Sequence, residues 1–326
     1  MKMSSHELES EIVEAYNESK SLESVRKKFK MCVKTIKEIL RLNGVQITMR
    51  KQPLDIEYFK EIDTPEKAYW LGFIAADGHL SKTKYKLAFC VKDSDILYKL
   101  RSAIGAGSPV RNRKVLDKRT NKENEQYNIQ INSKEFCQYI KNHGVDENKS
   151  KIFNFPNLKK KLHSHFVRGL YDGDGSIHIK KSKIKNKPTC RINLISTFEC
   201  ISYIKDYLET FMKFNVQHIF SKPDQNIHYI SIQKGVIDFL EWIYKDSTAE
   251  CRLDRKYAKY EEYKKMLDDR KPSIIKNHIS GIVYETFNMT QFCREFNLND
   301  NLLRTNFKKG KVPKSGRHAG WELVKN

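Results

Sequence analysis

Residues 69–80 read YWLGFIAADGHL, and residues 166–177 read FVRGLYDGDGSI. The two stretches match position for position: an apolar run, a glycine, a second small residue four places on, then Asp-Gly. Gly72 and Ala76 hold the small positions in the first, Gly169 and Gly173 in the second. Residues at i and i+4 share one face of a helix. Small residues on that face let two helix backbones approach closely. Trp70, Phe73 and Ile74, and in the second copy Phe166, Val167 and Leu170, are expected to pack into their own halves. Each helix ends at Asp77-Gly78 or Asp174-Gly175, where the glycine is expected to adopt the left-handed conformation that stops a helix.

Both aspartates should therefore emerge at the same end of two touching helices. An acid at a helix C-terminus meets the negative end of the dipole. Two such acids side by side oppose each other's ionisation. A divalent cation between them would remove the conflict, and hard oxygen ligands next to phosphates suit Mg²⁺ (or Mn²⁺). A metal held there polarises a phosphate and activates water, which is hydrolytic chemistry.

Working outward, the matching aspartates lie 97 positions apart, from 77 to 174. A period of that length marks a duplicated domain and not a solenoid. Each copy continues alike. Strand-like stretches cover 84–91 and 191–196, helices 94–104 and 199–214, strands 109–116 with 126–132 and 216–220 with 228–233, and closing helices 134–142 and 236–244. A charged helix follows at about 253–269. The order helix, two strands, helix, two strands, helix is α+β.

WLGFIAADG and VRGLYDGDG resemble the paired signature of the LAGLIDADG homing endonucleases, over roughly residues 64–265. The resemblance implies a duplicated αββαββα core with saddle-like antiparallel sheets, and a single chain working as a monomer with an internal pseudo-twofold. It implies metal-dependent double-strand DNA cleavage, with the penultimate acid of each motif, Asp77 and Asp174, as metal ligand and catalytic residue. The first motif acid is Asp172 in copy two and Ala75 in copy one. The family also carries a lysine late in each copy. By resemblance these are Lys149 in ENKSKIF and Lys256 in RLDRKYAKY, where a cation would stabilise charge on the phosphate. Asp93 and Thr197, just past the strand after each motif, loosely match the family's water-positioning site.

The strands alternate cleanly. In 126–132 every second residue is an amide: Gln126, Asn128, Gln130 and Asn132. Apolar side chains then face the core and the amides face outward. Asn and Gln bond adenine edges, and a β-ribbon fits the major groove. Copy two offers Tyr229, Ser231 and Gln233 at the matching places. The strands after the motifs offer Lys84 and Lys86, then Arg191 and Asn193, while Arg111 and Arg113 add charge. Lys180, Lys181, Lys183, Lys185 and Lys187 read as a loop tracking phosphate.

The flanks carry separate modules. Residues 1–46 show three short helices, with SVRKKFKMCVKTIKEILRLNGV resembling a helix-turn-helix that presents Lys34, Thr35 and Lys37. A linker spans 47–63, the repeats 64–158 and 159–270, and a second small helical, helix-turn-helix-like module 271–326. His318 and Trp321 fit a structural closing turn in that last module.

Of the 326 residues, 61 are Lys or Arg and 40 Asp or Glu, a net charge of +21 that attracts polyanions, nucleic acid foremost. Seven cysteines, Cys32, Cys90, Cys137, Cys190, Cys200, Cys251 and Cys293, form no CxxC pair and read as reduced core residues. No apolar leader or membrane-spanning run is present, so a soluble intracellular protein is expected, in bacterial or phage-infected cytoplasm or an organelle. The competing reading keeps the scaffold and drops the chemistry: a DNA-binding regulator, or a helper of intron-RNA splicing. The paired acids favour the enzyme.

Overall fold

The computed structural model describes residues 5–47, 52–81, 85–117, 121–147, 149–180, 188–214, 216, 218–222, 227–269 and 272–325. The chain divides into two units, residues 1–54 with 105–107, and residues 55–104 with 108–326.

In the first unit α1 (Ser5–Ser19), α2 (Leu22–Phe29) and α3 (Val33–Leu42) surround a small core of Ile12, Tyr16, Val25, Ile36 and Leu40. Ser21 caps α2, its hydroxyl accepting from the Ser24 N–H at 3.2 Å. Cys32 caps α3 and its sulfur lies 3.0 Å from the Thr35 hydroxyl. Lys34, Thr35 and Lys37 are exposed, as their helical phase requires.

The second unit opens with Tyr58 and Phe59 buried, the Phe59 ring meeting Phe136 edge-on at 5.4 Å. Part of the expected linker is thus packed onto the first repeat. That repeat runs α4 (Pro65–Asp77), β1 (His79–Ser81), β2 (Lys86–Val91), α5 (Ser94–Ala103), β3 (Arg111–Asp117), β4 (Lys122–Asn132) and α6 (Lys134–Asn142). After α7 (Lys149–Ile152) the second repeat runs α8 (His163–Asp174), β5 (Ser176–Lys180), β6 (Thr189–Ser196), α9 (Phe198–Met212), β7 (Ile219–Lys222), β8 (Ile227–Ile232) and α10 (Val236–Tyr244), followed by α11 (Asp254–Asp268). The sheets have the same antiparallel order, β1-β2-β4-β3 and β5-β6-β8-β7. The fold is α+β, a duplicated αββαββα core.

Helix α4 is buried on every side from Ala68 to Ala75. A helix apolar all round belongs inside a protein. Here α8 lies on one side and the sheet on another, with the Phe73 ring stacked on Phe89 at 5.7 Å. Thr64 caps it by accepting from the Lys67 N–H, and Pro65 starts it, where a missing N–H costs nothing.

The C-terminal segment departs from the helical module expected for 271–326. Helices α12 (Met289–Glu295) and α13 (Asp300–Lys308) are present, but so is a three-stranded antiparallel sheet, β10-β9-β11, from β9 (Ser273–Asn277), β10 (Val283–Thr286) and β11 (Trp321–Lys325). These strands have four or five residues each, and the third closes the sheet from the far end of the segment, so no local periodicity reveals them. Trp321 is buried with Ile275, Phe292, Cys293 and Leu303. His318 accepts at Nε2 from the Asn299 N–H at 2.8 Å, consistent with a closing turn.

Cysteine placement needs one correction. Five cysteines are buried, but Cys32 and Cys90 are exposed. Leu87 and Phe89 of β2 point inward, so the alternation of a strand sends Cys90 to the open face. Among the described residues no helix is long and apolar enough to cross a membrane.

Candidate active site and nucleic-acid interface

The site is built on the contact between α4 and α8. A Cβ added to Gly72 would lie 2.1 Å from the Phe166 carbonyl oxygen, and one added to Gly169 2.0 Å from that of Tyr69. A Cβ on Gly173 would lie 2.3 Å from the Ala76 methyl. The two backbones touch where the small residues were expected. Asp77 and Asp174 leave this seam at matching helix ends.

Gly78 and Gly175 stop the helices in a different way from that expected. Their φ values are −71° and −73°, in the extended region, and not left-handed. Space explains the glycine. A Cβ at Gly78 would lie 2.7 Å from the Ile74 carbonyl oxygen, and one at Gly175 2.3 Å from the Tyr171 ring. The chain turns back tightly over the last helical turn, with Gly78 N–H bonded to Ile74 O at 3.0 Å and Gly175 N–H to Tyr171 O at 2.8 Å.

Burial and the repulsion of Asp174 push the Asp77 carboxyl up to about 6, against the pull of Lys149 and Lys256. Asp174 is the more exposed of the two, yet the protein beneath it also raises its carboxyl, opposed by the same lysines. Each carboxyl is thus held toward its protonated form despite the two nearby lysines, and a divalent cation bound between them would relieve that strain on their charge.

Both lysines expected by resemblance stand at this place. The Lys149 ammonium donates to the carbonyls of Ala75, at 2.6 Å, and Ala76. That of Lys256 donates to Tyr171 and Gly175, each at 2.5 Å, and to Asp172 at 2.9 Å. Each lysine caps the C-terminus of its own repeat's motif helix, where a cation offsets the dipole and satisfies free carbonyls. Burial lowers both to about 8, against the pull of the nearby aspartates.

Asp172 is not part of the open site. It is buried and accepts from the Tyr244 hydroxyl at 2.7 Å, the Leu253 N–H at 2.8 Å and the Tyr69 hydroxyl at 3.1 Å. Beneath it Arg168 donates to Ile243 O at 2.7 Å and Cys251 O at 2.8 Å, and lies 3.0 Å from His165 Nδ1. Burial and Arg168 hold His165 down to about 4, so it is neutral and accepts at Nδ1. A charge inside the apolar run VRGLY was the only sign of Arg168 in the sequence.

Asp93 pairs with Arg255 of the other repeat at 3.1 Å and contributes to raising Asp77. Thr197 is buried as the N-cap of α9, donating to Phe153 O and accepting from Cys200 N–H at 3.4 Å. Its hydroxyl is committed to the chain, which does not fit a water-positioning role. Among the described residues no three His, Cys, Asp or Glu side chains converge as a metal cluster.

The sheets gather the expected readers. Register places Lys86 beside Asn132, Asn128 between Cys90 and Arg111, and Gln126 beside Arg113. Directly paired residues share a face, so these form one surface with Gln130, while Ile129 and Ile131 are buried behind it. Arg113 donates to Gln126 Oε1 at 3.2 Å. In the second sheet one open groove is lined by Arg191, Asn193, Tyr229, Ser231 and Gln233. Its floor also carries Phe220, stacked on Tyr229 at 5.2 Å. Lys84, Lys181, Lys183, Lys185 and Lys187 lie outside the described residues, and Lys180 ends β5 exposed.

No protein-family model matches the chain, and no curated protein matches it. Solved structures give likenesses. The homing endonuclease I-WcaI bound to its DNA recognition sequence is 15% identical, over 65% of this chain and 94% of that one, with a TM-score of 0.42. Meganuclease I-SmaMI bound to uncleavable DNA is 15% identical over 63% and 90%, with a TM-score of 0.41. Full-length DUF199/WhiA from Thermatoga maritima is 18% identical over 77% and 73%, with a TM-score of 0.40. In its paired motifs and its fold class, the chain is similar to the LAGLIDADG proteins.

Proposed function

We propose that the chain is a site-specific DNA endonuclease of the homing type, hydrolysing one phosphodiester in each strand with divalent metal at Asp77 and Asp174. The observation that carries this reading is the pairing of the two carboxylates. They end helices in backbone contact, and a lysine caps each helix end. The donor set fits Mg²⁺, which binds through one or two carboxylates and keeps waters for the rest. The raised carboxyls fit it too, since a cation bound there would offset the burial of both and the repulsion that Asp77 feels from Asp174. Bound there, the metal would polarise a phosphate oxygen and lower the pKa of a water.

The chain's own residues do the rest. Asp77 and Asp174 would hold the cation, and the rigid seam fixes their separation. Lys149 and Lys256 place positive charge beside each carboxylate, fixed in direction by backbone carbonyls before any phosphate arrives. Such preorganised charge stabilises charge developing on the substrate without reorganisation. The Arg and amide rows of the two sheets would read base edges in the major groove. The charge of +21 supplies the sequence-independent part of binding to double-stranded DNA.

A second reading, a DNA-binding regulator or RNA-splicing helper without cleavage, is favoured by one observation. Among the described residues no three acids, histidines or cysteines converge as a metal cluster, and both ammonium groups are engaged by carbonyls. Incubation with the flanking genomic DNA and Mg²⁺, followed by mapping of cut ends, separates the two. Paired cuts on opposite strands support the nuclease, and a footprint without cuts supports the regulator.

A further inference from the structure

Lys149 and Lys256 occupy matching places, but the segments that carry them are tethered differently. Ahead of Lys256, the Leu253 N–H is held by the buried carboxylate of Asp172. The matching motif position in the first repeat is Ala75, which has no group to hold the chain ahead of Lys149. There Asp146, whose carbonyl accepts from the Lys149 N–H at 3.1 Å, pairs with Lys141 at 3.0 Å and is half exposed on the acid side. A buried hydrogen bond to this segment comes from the other repeat. The Thr197 hydroxyl donates to the carbonyl of Phe153, the residue that follows α7. Thr197 and Phe153 are both buried, and the Phe153 ring stacks on Phe166 at 6.2 Å.

Helix α7 has four residues, a single turn. A helix that short has no stability of its own, so its ends decide where it sits. We infer that Thr197 is the positioning residue for Lys149, doing across the repeat boundary what Asp172 does for Lys256 within its repeat. Its one proton goes to Phe153 O and its acceptor site to Cys200 N–H. Without the hydroxyl, α7 loses that buried hydrogen bond, the Phe153 ring alone anchors its end, and the Lys149 ammonium sits less firmly on the Ala75 and Ala76 carbonyls. Asp172 continues to hold Lys256. Lys149 is seated on the Asp77 helix and Lys256 on the Asp174 helix, although both act on both carboxylates, so the strand that depends most on Lys149 should suffer more.

The inference rests on the endonuclease reading, and its test separates the two. Thr197→Val and Thr197→Ser are compared with Lys149→Met and Lys256→Met on target duplex labelled on each strand. Thr197→Val should slow the strand that Lys149→Met silences, by about ten- to a hundredfold for a displaced group. It should slow the other strand less, and Thr197→Ser should keep both. Equal slowing of both strands, slowing of the strand that Lys256→Met silences, or no slowing overturns the inference. If Thr197→Val fails to melt cooperatively, Thr197→Ala is read in the same way. Hydrogen exchange adds a readout that needs no cleavage. Amides of residues 150–153 should exchange faster in the valine variant while those of α11 do not, and unchanged exchange also overturns the inference. Faster exchange confined to α7 in a wild-type background that cuts neither strand would sink the nuclease reading and leave the tether standing.

Discussion

Asp77 is an acid placed where its charge is opposed three ways: by burial, by Asp174 and by the negative end of its own helix. A carboxyl raised from 3.8 to about 6 takes up protons in the folded protein between those pH values that the unfolded chain does not. Folding is therefore favoured below that window and loses this contribution as pH rises through it. Asp77→Asn removes the loss. In the absence of metal the variant should be more stable at pH 7.5 by about 1–3 kcal/mol, the shift discounted for partial solvent access. The gain should vanish below about pH 4. Calorimetric melting with chelator across that range checks it, and a pH-independent difference would count against the electrostatic account. At this scale Asp77 and Asp174 were legible from their paired motif, and Lys149 and Lys256 only through the family resemblance. The partners of Asp172 and Thr197 were not. Tyr69 and Phe153 lie 103 and 44 positions away from them, and only the folded chain brings them together.

The α4–α8 seam sets the geometry that the acids inherit. A Cβ at Gly72 would overlap the Phe166 carbonyl, which is backbone and cannot swing aside. Gly72→Ala should therefore destabilise by about 1–3 kcal/mol or more by overpacking. It should also move Asp77 from Asp174, lowering any cleavage rate further than the stability loss alone. An unchanged melting temperature would contradict the close approach of the helices. The sheet faces make a second claim. Arg191 lies in the groove of the second sheet only, so Arg191→Ala should relax specificity in one half of a bound site. The expected cost is about 1–3 kcal/mol for a bidentate base contact. Binding selections on randomised half-sites read this directly, and equal relaxation in both halves would refute it. Both motif helices, both closing helices and the amide alternation could be read from periodicity. Strands β1 and β5 follow their helices immediately and have three and five residues, too few to show a period of two. The sheet of the C-terminal module escaped for a related reason, since β9 and β11 are separated in sequence by β10, two helices and a loop.

At the scale of the whole molecule, the sequence runs from a small helical module through a duplicated core to a second small module, and it is strongly basic. The N-terminal helices form a unit with its own core and present Lys34, Thr35 and Lys37 to solvent. If they bind DNA beyond the core's site, deleting residues 1–46 should weaken binding, shorten the footprint at one end and keep the cut position. Linked modules raise affinity through effective concentration without touching the chemistry. The log–log salt slope should fall by about 0.9 for each phosphate that the truncated protein no longer neutralises. An identical footprint and slope would assign those helices another role. The central claim is that two aspartates on touching helices hold metal for double-strand cleavage. It is tested most directly by wild type and the double variant Asp77→Asn, Asp174→Asn on the flanking genomic DNA with Mg²⁺. The account predicts paired cuts by the wild type, and by the variant the same footprint with no cut. Cleavage by the variant near the wild-type rate would contradict it.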